Sequence, residues 1–204
     1  MFGHDHVGHG ESEGDRVIVK TMSEYTEPVI QHCKEMMSKH PDKPLFIIGH
    51  SMGGLIALKT SLSPNCPELA GMVLMGPLIK PDPQSASRVQ IFMAKIASKI
   101  VPTFQIGELN VDLVTSFQEN RDKIASDELT HHGGIKALLG HVLLESMASL
   151  EQNFENVNTP YIMLIGSEDK ICNVEGSKVI KKFTFLTSFN RKIFSGVSQN
   201  VRKY

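Results

Sequence analysis

Leu45–Gly49, Met72–Met75 and Tyr161–Ile165 are short apolar runs bounded by Gly or Pro, and Lys192–Phe194 is a fainter fourth. Runs of this kind predict buried strands. Between them the spacing changes. Met22, Tyr25, Val29, Cys33 and Met36 recur at steps of three and four, as do Val89, Phe92, Met93, Ile96 and Ile100, and then Leu138, Val142, Leu143 and Met147. Each set is one face of an amphipathic helix, and Pro102 stops the second. Apolar strands alternating with helices predict an α/β protein with a mostly parallel sheet and helices on both faces. The stretch 80–155 breaks the alternation, with helical patterns and no convincing strand. It is expected to be a helical cap inserted into a core made of 1–79 and 156–204.

The strongest local signal follows the first run. Gly49-His50-Ser51-Met52-Gly53-Gly54 sits between the strand and the helix-compatible segment 55–60. This is G-x-S-x-G, strand before and helix after, the setting of a nucleophile elbow. The sharp turn is expected to hold Ser51 in a strained conformation, with no room for side chains at Gly49 or Gly53. Ser51 Oγ would stand at the head of the helix, where the Met52 N–H can donate to an oxyanion. A nucleophilic serine needs a base and a group to orient it, and in this setting the chain order is Ser, then Asp or Glu, then His. Asp169, just past the third strand, is the first choice of acid, with its neighbour Glu168 as the alternative.

Histidine falls at 4, 6, 9, 32, 40, 50, 131, 132 and 141, and none follows Asp169. His50, beside Ser51, is expected to pack beneath the elbow rather than serve as base. His4, His6 and His9 share a glycine-rich loop, but their spacing is unspecific, and neither a metal nor a cofactor is expected.

Composition narrows the partners. Over 204 residues Lys plus Arg number 21 and Asp plus Glu 22, a net charge of -1. That balance argues against a nucleic-acid binder. No run approaches the length that crosses a bilayer, and the start carries no secretory signal pattern. Three cysteines, Cys33, Cys66 and Cys172, without a CxxC pair fit a reducing, cytoplasmic setting. After Glu175 every charged residue is basic. That tail, with its interleaved Phe residues, reads first as an altered helix and strand and second as an anionic-membrane contact.

Taken together, these motifs resemble the monoacylglycerol lipase (monoglyceride lipase) family of serine hydrolases, which have the α/β-hydrolase fold. The segment from His4 to Gly14 resembles the family's segment after its fourth strand, and Gly49–Gly54 its elbow. Gly71–Leu78 resembles its next strand and exit, and Gly166–Cys172 its acid turn; the resemblance spans about residues 1–197. It implies cleavage of monoacylglycerol esters to fatty acid and glycerol, with an apolar acyl tunnel under a cap whose mouth meets membrane. Ser51 is then the nucleophile, Asp169 the acid and Met52 an oxyanion donor, while Cys172 matches a cysteine near the glycerol end. The family places its catalytic histidine in a Lys-Ile-x-x-Gly-x-x-His setting. Here Lys192-Ile-Phe-Ser-Gly196-Val-Ser-Gln199 puts Gln199 in that place. Relative to the family pattern the opening strands, the His-Gly loop with a second oxyanion donor and the final helix are expected to be missing. The resemblance therefore implies a carboxylic-ester hydrolase with impaired activity, or a non-catalytic lipid- or partner-binding protein. It also implies a sheet edge and face open to self-association.

Overall fold

The computed structural model describes residues 1–80, 88–107, 111–115, 117–166, 169 and 171–172. The expected strand at Lys192–Phe194, the basic tail, Gln199 and Glu168 lie outside the described residues. The elements in chain order are α1 (Ser23–Lys39), β1 (Phe46–His50), α2 (Met52–Ser61), β2 (Gly71–Met75), α3 (Arg88–Ile100), β3 (Gln105–Gly107), α4 (Val111–Val114), α5 (Gln118–Ser126), β4 (Ile135–Lys136), α6 (Ala137–Asn153) and β5 (Tyr161–Leu164). The three apolar runs and the three helical stripes each fall on an element, within a residue or two of the expected bounds.

β1, β2 and β5 form a parallel sheet in that order, with Ile48 opposite Val73 and Val73 opposite Ile162. A crossover helix follows β1, and a longer helical excursion separates β2 from β5, as parallel pairing requires. In the first turn of α1 the Glu24 carboxylate accepts the N–H groups of Lys20 and Thr21, tying the incoming chain to the helix start. α2 is apolar almost all round, and Leu55, Ile56, Ala57 and Leu58 are buried. It lies between the sheet and the outer helices, and burying each of its larger aliphatic side chains is worth about 1.5–3 kcal/mol. Leu139, Val142, Leu143, Met147 and Leu150 of α6 join the same core as Leu55, Met72 and Tyr25.

Two features differ from expectation. The excursion contains a strand pair, β3 antiparallel to β4, whose three and two residues are too short to show a period of two. In α3 the small residues Ala94 and Ser98 face inward, while Met93, Ile96 and Ile100 of the apolar stripe are exposed; of Val89 and Phe92 the side chains are not described. α3 thus lies close against α6 through its small-residue side. The two faces of the sheet are unlike. Ile47, Met72 and Met163 pack with the core, whereas Phe46 and Ile48 are 56% and 60% exposed, with Ile162 exposed beside them.

Candidate functional site

Parallel strands bring their C-terminal ends to one edge, and the residues singled out in the sequence collect there. β1 ends at His50, and Ser51 follows with φ 51° and ψ -116°. A serine in the left-handed region costs on the order of 1–3 kcal/mol, which surrounding structure must offset. Here the Ser51 N–H donates to the Met75 carbonyl at 3.0 Å. The Ser51 carbonyl accepts from Gly54 at 2.9 Å and from Leu78 at 3.0 Å. The elbow is therefore tied to its own helix and to the exit of β2. Met52 and Gly53, first in α2, have N–H groups with no acceptor inside the helix, and these point where negative charge is favoured.

The glycines divide the work differently from expectation. A Cβ at Gly49 would lie 2.4 Å from the Gly53 carbonyl oxygen and 2.9 Å from Gly54 Cα, so nothing larger fits. A Cβ at Gly53 would meet nothing within 4 Å. The second crowded glycine is Gly54, where a Cβ would come 2.5 Å from Pro77 Cβ. Sequence reading missed that role; the Gly-Gly pair and the Gly76-Pro77 turn were its available signals. His50, expected beneath the elbow, is instead exposed on the open sheet face, because strand alternation carries it to the side of Phe46 and Ile48.

Beyond β5 the chain turns at Gly166, whose carbonyl accepts the Asp169 N–H at 3.2 Å. Asp169 Oδ1 accepts the N–H groups of Ile171 and Cys172 at 2.9 and 2.8 Å, which fixes the carboxylate. Its Oδ2 lies over Gly76, 3.2 Å from where a Cβ would stand. Gly76 has φ 47° and follows Met75, the residue that anchors Ser51. Glycine serves there twice, in backbone angle and in space. Cys172 is buried, with Sγ 3.9 Å from Ser51 Oγ. Burial, then the Asp169 charge, push its thiol pKa up, so it stays protonated, a soft neutral wall beside the serine.

Ser51, Met52, Asp169 and Cys172 thus share one edge of the sheet. Among the described residues no group of three or more His, Cys, Asp or Glu side chains is placed to hold a metal ion. His4, His6 and His9 lie in the N-terminal loop against α1.

A family model described as Hydrolase_4, serine aminopeptidase S33, matches residues 1–197. The chain belongs to that family. Its relatives include the monoglyceride lipase of Homo sapiens, 32% identical over 203 residues, which cover 100% of this chain and 67% of that protein. The monoacylglycerol lipase of Mycolicibacterium smegmatis is 28% identical over 202 residues, covering 98% of this chain and 71% of that protein. Among solved structures, the monoacylglycerol lipase of Paleococcus ferrophilus superposes with a TM-score of 0.75 at 23% identity, covering 88% of this chain and 67% of that one. The family's fold is the α/β-hydrolase fold, and this chain, spanning about two thirds of the length of these relatives, has it.

Proposed function

We propose that this family member is an acylglycerol lipase-like serine hydrolase acting on monoacylglycerol esters, its turnover limited by Gln199 in the place of the histidine base. The observation that carries the reading is the shared edge: a strained Ser51 at a helix head, with a twice-bonded Asp169 and Cys172 beside it. Ser51 Oγ would attack the ester carbonyl, the Met52 N–H would stabilise the oxyanion, and Asp169 Oδ2 would orient a base. In the resemblance the base position is Gln199, whose amide cannot take the serine proton near neutral pH. Gln199 at that position also favours a second reading, a lipid-binding protein without catalysis. Release of glycerol from a monoacylglycerol separates them. Slow release abolished by Ser51→Ala supports hydrolysis, and release unchanged by that substitution, or none above buffer, removes it.

We also infer a cap in 80–155, with α6 as its base because that helix is built into the core. Met93, Ile96, Ile100, Phe104 and Phe117 are exposed there. No helix among the described residues is long and apolar enough to cross a membrane; the membrane contact proposed is peripheral, through the cap, from a cytoplasmic location. Lys95 and Lys99 lie among the exposed α3 residues, which favours anionic lipid. The paired change Ile96→Glu and Ile100→Glu is expected to weaken sedimentation with anionic vesicles at least ~10-fold, since each isoleucine loses burial worth about 1.5–3 kcal/mol. Equal sedimentation of both proteins would remove the contact.

Self-association has its own surface, the open sheet face of Phe46, Ile48 and Ile162. Size-exclusion chromatography is expected to show oligomers that Ile48→Lys reduces to monomer; a monomer peak for the unaltered chain contradicts this.

A further inference from the structure

The N-terminal loop takes no part in the chemistry above, yet it gathers histidines against one helix. His4 Nδ1 lies 3.0 Å from His32 Nδ1 on α1. The His6 ring stands edge-on to His4 at 5.2 Å and tilts over Tyr25 of α1 at 5.2 Å. His9 packs on the same tyrosine, with centroids 5.8 Å apart. The loop is closed by Gly8 N–H to the Glu13 carbonyl and Val17 N–H to the Gly8 carbonyl. Its far end passes through Val17 at φ 50°, a costly angle for a β-branched residue that docking must offset.

We propose that the histidine loop, residues 4–9, and α1 form an acid-sensitive latch, docked while the buried His6 ring is neutral and released as it takes up a proton. The His4–His32 hydrogen bond needs one ring nitrogen bare, and two imidazolium rings at that distance repel. His6 Nδ1 is buried without a partner, so a proton added there would have no acceptor. The charges facing this cluster come from both elements. From the loop, His4 and His9 oppose a charge on His6, and Asp5 favours it. Asp5 is already engaged, its Oδ2 accepting the Glu11 N–H at 2.9 Å. From α1, Tyr25 is neutral, its pKa raised by burial, and Glu35, near His32, is paired with Lys39.

The direction of the effect follows from linkage. Burial, then His4 and His9, lower the His6 pKa from 6.5 to about 4. A base whose pKa is depressed when docked is protonated more readily when released, so docking weakens as pH falls from 6.5 towards 4. Between about pH 7.5 and pH 5 the released population should rise about 30-fold.

Hydrogen exchange on the whole chain, corrected for intrinsic rates, reads this directly. At about pH 5 the Gly8, Ser12 and Val17 amides are expected to lose roughly that factor in protection while Ile47, Val73 and Leu74 keep theirs. Retained loop protection would overturn the latch, and so would loss of loop and strand protection together, which is global unfolding. His6→Phe keeps a ring on Tyr25 without a titrating group and should greatly reduce the pH response; an unchanged response overturns the proposal. Should that variant not fold, the NMR titration of His6 in the unaltered chain decides. A pKa near its ordinary value contradicts the proposal, and a strongly lowered one, moving with the loop amides, supports it.

Discussion

Gln199→His is expected to raise ester hydrolysis by on the order of 10³–10⁴-fold, and Ser51→Ala in the same protein to remove the increase. In the proposed reading three of the groups that acyl transfer needs are present: Ser51 as nucleophile, the Met52 N–H as oxyanion donor and Asp169 as the orienting carboxylate. Asp169 Oδ1 is occupied by the Ile171 and Cys172 N–H groups. Oδ2 is then the oxygen that would hold an imidazole N–H in the right tautomer. An imidazole accepts the serine proton near neutral pH, whereas the glutamine amide does not. The regained rate should climb with pH through the ordinary histidine range, because only the neutral ring is a base. A kcat/KM profile on a monoacylglycerol checks both size and shape. No increase, in a variant that unfolds normally, would mean that Gln199 does not stand at the base position.

The two elbow glycines should behave oppositely. Gly49→Ala is expected to cost about 3 kcal/mol or more, because the added carbon would meet the backbone of Gly53 and Gly54 at 2.4–2.9 Å. Those atoms belong to the helix start and to the tie holding Ser51, so they cannot rotate away as a side chain would. Gly53→Ala is expected to be neutral or to stabilise by about 0.5–1 kcal/mol, since its Cβ meets nothing within 4 Å and alanine suits a helix better. Urea midpoints at constant m-value measure the pair. Equal losses would mean that the elbow is closed differently.

Much of this was legible in the sequence because burial and period agree there. The runs beginning at Leu45, Met72 and Tyr161 are apolar and bounded by breakers, and they became β1, β2 and β5. The elbow was legible because G-x-S-x-G fell between a strand and a helix. What failed depended on direction rather than pattern. The α3 stripe marked a helix correctly, but close packing through Ala94 and Ser98 turned Met93, Ile96 and Ile100 outward. His50 follows the strand's alternation to the open face, which a uniformly apolar run does not reveal. β3 and β4 pair through long-range contact, with too few residues to leave a local signature. Gly54 and Gly76 are set by what approaches them, Pro77 and Asp169, and such neighbours cannot be read from adjacent positions. The near-neutral charge and the high histidine count said little about the reaction; the placement of the histidines mattered more, since none follows Asp169.

In the proposed reading Ser51 is the nucleophile, Asp169 the acid, and Gln199 stands in the place of the base. A fluorophosphonate probe tests it most directly, because it labels a serine in proportion to that serine's activation. The unaltered chain should label weakly, Gln199→His strongly, and Gln199→His with Ser51→Ala not at all. Strong labelling of the unaltered chain at Ser51 would contradict the account, since another group would then be activating the serine.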